Sequence, residues 1–294
     1  MEKVNTPFIT NLLVEELYEK AKTPKPTARG TSLRYSSSYG CERQQAYNAF
    51  GVTPCEPMDH AGAWVTGLGT MVHEELQEAI GRKYPSAQFE VSSQVGNFIS
   101  GSCDALIPVG DLDRFGLTGT HVLWELKTMG TYSFDKQVGW NRMRGQHTNY
   151  EGPALKAIVQ AGMNAIGIME ENPEIVIDQL ILGSVTFEAL SRQKSWNMDV
   201  EGVSRTLAEF IIEPHEWYSQ AKDELERMAN LYSNIENGFI PTRVAMDDNG
   251  NDIVLNPMGK NWQCDYCSFR DHCVADGPDA LRITESVSIE RSGS

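Results

Sequence analysis

The residues of clearest chemical potential are Asp104, Glu125 and Lys127. Strand alternation puts Glu125 and Lys127, two positions apart in VLWELKT, on one face. A neighbouring strand carrying Asp104 can bring both carboxylates over one cavity. Two carboxylates that close repel, and a hard divalent cation such as Mg2+ or Mn2+ between them relieves the cost. Such a cation polarises a phosphoryl oxygen and lowers the pKa of a bound water, which is what phosphodiester hydrolysis requires. A lysine alongside can orient that water or stabilise charge on the phosphate. Taken alone, E-x-K also suits an ordinary solvent-facing strand. Here Val122, Leu123, Trp124 and Leu126 surround the pair, so the strand reads as central and its charges need a reason to be there.

A second group is sulfur. Cys264, Cys267 and Cys273 form C-x2-C-x5-C, in which one turn can aim the first two thiolates at a single centre. Three ligands do not close a site, and Cys41, far upstream, is the natural fourth. Six cysteines in a chain whose amino terminus does not read as a secretory signal do not suggest a disulfide scaffold. Cys55 and Cys103 read as ordinary small side chains, Cys103 pointing away from Asp104. Spacing does not choose between iron and zinc.

The elements that must position these groups follow from periodicity. Residues 8–21 read as an amphipathic helix, broken by KTPKPTARGTS. A second helix is expected from the serines at 36–38, with Cys41 in its first turn, Arg43 and Tyr47 along it and Gly51 at its end. Residues 61–83 suggest a long helix bearing His73. QFEVSSQV, FISGSCDALIPV and HVLWELKT then read as three antiparallel strands. A helix over 153–170 opens at Pro153 and carries Gln160; strands follow in EIVIDQLILGSVTF and near TLAEFIIE, then a helix over 214–238. The order is that of an α/β core with helical and cysteine-bearing ends. Its 294 residues, 40% hydrophobic, suffice for one large or two small domains.

His73, G-x-x-D at residues 101–104, E-x-K at residues 125–127 and Gln160 on a following helix, in that order, resemble the RecB-like branch of the PD-(D/E)XK nucleases. The resemblance implies a restriction-endonuclease-like core, a central mixed sheet flanked by helices. It implies that His73, Asp104, Glu125 and the backbone carbonyl of Leu126 hold Mg2+ or Mn2+, that Lys127 assists the water, and that Gln160 positions the lysine or the substrate. The chain departs from the pattern in lacking the nominal proline and in placing Asn164 where a tyrosine usually follows the glutamine. One cysteine before the core and three after it resemble the Cas-four family of exonucleases and the AddB nuclease domain. That implies a 4Fe-4S cluster on Cys41, Cys264, Cys267 and Cys273, with a zinc site on the same thiolates as the alternative. Either would join segments about 220 residues apart. The expected division is a helical segment over 1–60, a nuclease core over 61–240 and a cysteine-bearing segment over 241–294.

The net charge of −15 repels nucleic acid at long range and excludes a nonspecific DNA coat. Basic residues are nevertheless clustered: Lys20, Lys22, Lys25, Arg29 and Arg34 form an arm free of acids, which reads equally as a solvated linker. A second cluster, Lys136, Arg142, Arg144, His147 and Lys156, is interleaved with Trp140 and Tyr150, as a single strand's phosphates and bases would require. Arg34, Arg43, Arg142, Arg144 and Lys156 are the candidate DNA contacts. The expectation is a cytoplasmic, membrane-free DNA exonuclease acting on single-stranded ends or frayed duplex, with room for a protein partner in repair, recombination or CRISPR adaptation. The rival is a noncatalytic DNA-end-binding or assembly module keeping the same fold.

Overall fold

The computed structural model describes residue 19 and residues 33–55, 59–112, 116–141, 146–147, 151–186, 207–247, 250–257 and 262–282. The expected helix over 8–21 and most of the basic arm lie outside the described residues. A short strand, β1 (Leu33–Arg34), runs into a 3-10 turn (Tyr35–Ser37) and helix α1 (Glu42–Phe50). The serines do not open this helix as expected. The chain first reverses through Tyr39, whose φ of 57° is left-handed, so Cys41 becomes the N-cap instead of entering the first turn. Gly51 ends α1 in the left-handed conformation that glycine adopts without strain.

Helix α2 (His60–Lys83) starts where the Asp59 side chain accepts a hydrogen bond from the Gly62 amide. Strands β2 (Gln88–Val95), β3 (Ile99–Pro108) and β4 (His121–Met129) form the expected antiparallel meander. After α3 (Thr131–Val138) and the two-residue strands β5 (Trp140–Asn141) and β6 (Gln146–His147) comes α4 (Leu155–Glu171). Pro153 lies two residues before α4 rather than in its first turn. Strands β7 (Leu180–Thr186) and β8 (Leu207–Ile212) complete a mixed six-stranded sheet, β7 parallel to β4 and antiparallel to β8. Helix α5 (Pro214–Glu236) has proline in its first turn and a capping box between Glu213 and Glu216. The tail adds β9 (Phe239–Ile240), β10 (Val244–Met246), β11 (Asp252–Val254), α6 (Trp262–Asp265), α7 (Arg270–Ala275) and β12 (Leu281–Arg282), which returns to pair with β9. Among the described residues no helix is long and apolar enough to cross a membrane.

The sheet is interrupted at the position that matters. One edge of β3 pairs with β2 from Ile99 to Leu106, with a skip at Asp104, while its other edge pairs first with β1, at Ile99 and Ser100, and then with β4, from Ala105 to Pro108. Residues 101–104, the G-x-x-D segment, therefore have no strand beside them on that edge. Glycine is required there because a Cβ on Gly101 would stand 2.5 Å from the Tyr35 ring. Side-chain alternation also breaks at this point. Val91 and Cys103 join the core under α4 and α5, whereas Phe89 and Ala105 join the smaller core under α2. Between them, Glu90 takes a φ of 48° opposite Asp104.

Helices α4 and α5 pack closely at Gly162, where an added Cβ would lie 2.8 Å from Trp217 and 2.9 Å from the Ala221 methyl. A buried ionic group ties α1 to α5: Glu224 accepts from the Tyr39 amide at 2.8 Å and from Arg227, whose guanidinium also reaches Glu42. Overpacking a tight core costs about 1–3 kcal/mol. Gly162→Ala is accordingly expected to lower the thermal midpoint by several degrees, read by calorimetry; an unchanged midpoint would show that the interface can open at no cost.

Candidate functional site

The interruption in β3 is filled by side chains. Asn164 Nδ2 donates to the Ser102 carbonyl at 3.3 Å, and Gln77 Nε2 donates to the Asp104 carbonyl at 3.2 Å. The Leu126 amide donates to Asp104 Oδ2 at 2.6 Å. Backbone groups without a ladder partner are thus satisfied by the residues of the candidate site itself.

Around this frame His73 Nδ1 lies 3.2 Å from Asp104 Oδ1. Glu125 Oε1 accepts from Lys127 Nζ at 2.8 Å and from Gln160 Nε2 at 2.9 Å, and Gln160 Oε1 accepts from Lys127 at 3.1 Å. The three side chains close a ring. Glu125 is 3% exposed, yet its second oxygen, Oε2, is buried without a hydrogen-bond partner. Five residues singled out from the sequence, His73, Asp104, Glu125, Lys127 and Gln160, therefore meet in one place. Leu126 enters through its backbone amide, its side chain belonging to the core under α2.

The hydrogen bond to Asp104 is the main cause that raises the His73 pKa, against a smaller lowering by burial. Burial raises the Glu125 carboxyl above its ordinary 4.5; Lys127 opposes this and Asp104 adds to it. A buried carboxylate oxygen with no donor fits a cation. Among the described residues no three His, Cys, Asp or Glu side chains stand in finished ion-coordinating geometry. The donor types present, two carboxylates and an imidazole, are nevertheless of the kind that divalent ions take. Glu125 Oε1 and both Asp104 oxygens are engaged within the protein, Oδ1 by His73 and Oδ2 by the Leu126 amide, which leaves Glu125 Oε2 as the carboxylate oxygen of this group without a partner.

Sequence reasoning missed two residues here. Gln77, one turn after His73 on the same face of α2, donates to both Asp104 and Glu90 Oε1, and its helical spacing from His73 could have revealed it. Glu90 also accepts from Ser102, but nothing in the sequence marks its left-handed backbone. Glu74 and Glu75 lie exposed, on the solvated side of α2.

The four expected cysteines line one small apolar cavity of about 20 Å³, together with Arg43, Arg243 and Arg270. None of the six cysteines forms a disulfide. Cys41 caps α1, the Cys267 amide donates to the Cys264 carbonyl, and Arg243 Nε reaches Cys273 Sγ at 3.1 Å. Burial pushes the Cys41 thiol up to about 11 and raises Cys264 as well, so thiolate formation there needs a positive centre. Four thiols thus line one small cavity with guanidinium groups, and among the described residues they do not form a group placed to hold a metal ion. Cys55 lies apart, with its thiol on the Ser268 carbonyl, and Cys103 is buried in the main core.

Of the candidate DNA contacts, Arg34 is exposed beside the site and Lys156 is exposed one turn before Gln160. Arg43 is not a phosphate contact. It is fully buried and donates to the carbonyls of Pro241, Gly277 and Asp279, binding α1 to the tail. Arg142 and Arg144 lie outside the described residues.

No family model matches the chain, and no curated protein is similar to it. Among solved structures, the protein SSO0001 is 15% identical with a TM-score of 0.47, over 92% of this chain and 98% of that one. A phage related exonuclease from Haemophilus somnus 129PT is 15% identical with a TM-score of 0.38, over 70% of this chain and 95% of that one. Likeness of this degree carries no functional weight.

The raised Glu125 pKa has a consequence for stability. The fold binds this proton more tightly than the unfolded chain does, so stability is lost as pH rises from the ordinary 4.5 through the higher folded value. Glu125→Gln escapes that loss while keeping an oxygen for Lys127 and Gln160. In EDTA its thermal midpoint is expected to exceed the wild type's at about pH 8, the margin closing towards about pH 4. A margin that does not vary with pH would contradict the assignment.

Proposed function

We propose that this chain is a metal-dependent DNA exonuclease acting on single-stranded ends or frayed duplex, its two ends joined by a 4Fe-4S cluster on Cys41, Cys264, Cys267 and Cys273. The observation that carries the reading is the buried, unpartnered Glu125 Oε2 beside the Asp104–His73 pair and the Lys127–Gln160 pair. His73, Asp104, Glu125 and the Leu126 carbonyl would hold Mg2+ or Mn2+. That ion, when bound, supplies charge to the phosphoryl oxygen and acidifies water.

The chain's own residues do the rest. In the ion-free protein Asp104 engages His73 Nδ1 and so holds the ring beside the carboxylates. Gln160 and Glu125 hold the Lys127 ammonium in place, so its remaining N–H can hydrogen-bond the oxygen of the attacking water and orient it, or a phosphate oxygen. Water attacks phosphorus in line, leaving a 5′-phosphate and a 3′-hydroxyl. Arg34 and Lys156, both exposed, suit phosphates of the strand.

With labelled single-stranded DNA and Mn2+, Asp104→Ala and Lys127→Ala are each expected to cut more slowly by at least about 100-fold. Full activity in either variant would eliminate the mechanism. Wild-type protein that binds ends without metal-dependent cleavage would establish the assembly-module reading instead.

Iron and sulfide analysis after anaerobic purification tests the cysteine site. A brown protein that loses both its colour and its thermal stability in Cys41→Ser is expected. Colourless protein with zinc on four thiolates would remove the cluster and leave the nuclease reading untouched.

A further inference from the structure

Next to Gln160 opens a cavity of about 880 Å³, within the range of small-ligand sites. Its walls include Ser92 of β2, Ser102 of β3 and Asn164 of α4, with Arg34 as their cationic member. Glu171 also lines it, and its carboxylate accepts from the Gln94 amide at 3.0 Å. The lining combines hydroxyl and amide groups with the Tyr35 ring, one positive and one negative side chain. Such a surface recognises a ligand that is polar along its length and charged at one end.

Asn164 defines what that ligand must present. It is 0% exposed, its Nδ2 is committed to the Ser102 carbonyl, and its Oδ1 is buried without a partner. An acceptor left in that state costs about 1–3 kcal/mol and calls for a donor. A phosphate has none at neutral pH. Adenine N6 and cytosine N4 are amino donors, whereas thymine's one donor, its N3 imide, is flanked by two carbonyl oxygens that an acceptor approaching it would also meet.

We infer that this cavity seats the nucleotide adjoining the scissile phosphate, with its phosphate towards Arg34 and its base amino group donating to Asn164 Oδ1. The inference rests on the nuclease reading above for the strand's position, and it adds a base preference that the metal site cannot supply. Glu171, being acidic, repels the phosphate from its own part of the cavity and so favours the Arg34 side.

The test is fluorescence anisotropy on the full chain in EDTA, using short labelled homopolymers of deoxyadenosine, deoxycytidine and thymidine. Wild type is expected to bind the first two about 5- to 10-fold more tightly than the third. A homopolymer of purine deoxynucleoside lacking the amino group should fall to the thymidine level, with no change to the protein. Asn164→Leu should abolish the preference, while Arg34→Ala should weaken all three polymers alike and reduce the salt slope by about 0.7.

Equal wild-type affinity for all the homopolymers, or a preference that survives both removal of the amino group and Asn164→Leu, overturns the assignment. Cleavage assays in parallel separate the two readings. A base preference without metal-dependent cleavage would sink the nuclease alone, and cleavage without a base preference would sink the nucleotide seat alone.

Discussion

An interrupted strand edge is the constraint from which the rest of the site follows. Between its pairing with β1 and its pairing with β4, β3 leaves residues 101–104 without a ladder on one side. Backbone polar groups cannot be left bare in a core, so side chains from two helices reach in: Gln77 from α2 and Asn164 from α4. Each of these contacts also brings a polar group to the place where Asp104 sits. Satisfying the backbone and assembling the site are one arrangement.

The electrostatics follow from that placement. Glu125 is held in a buried position where its charge is opposed by burial and supported by Lys127. One of its oxygens is fully engaged and the other is not. A fold that retains an uncompensated acceptor beside a second carboxylate sacrifices stability locally, as sites built for an ion or a reacting group commonly do. In the cysteine-lined cavity burial likewise raises the Cys41 and Cys264 thiols and so favours their neutral forms. Arg43 shows how firmly the ends are joined without any such centre, since its guanidinium bridges α1 to three carbonyls of the tail.

Much of this was legible in the residues. The alternation in β2, β3 and β4 located the meander, the spacing of Glu125 and Lys127 put them on one face, and Pro214 marked the start of α5. What failed did so for identifiable reasons. Alternation is a rule for regular strands, and it breaks at Glu90 and Asp104, where both strands exchange faces. Arg43 looked like a phosphate contact because a sequence shows a charge but not the carbonyls that can absorb it. The serines at 36–38 promised a helix start, but the left-handed turn at Tyr39 delayed it to Cys41.

Local chemistry therefore determined which residues could act: the acids, the lysine, the histidine and the four thiols were all identifiable from type, order and spacing. Tertiary structure alone decided which of their atoms are spoken for. Hydrogen bonds between residues far apart in sequence consume Glu125 Oε1, Asp104 Oδ2 and Asn164 Nδ2, and leave Glu125 Oε2 and Asn164 Oδ1 without partners. That division depends on distances of a few ångströms between separate elements, which no spacing along a single chain encodes.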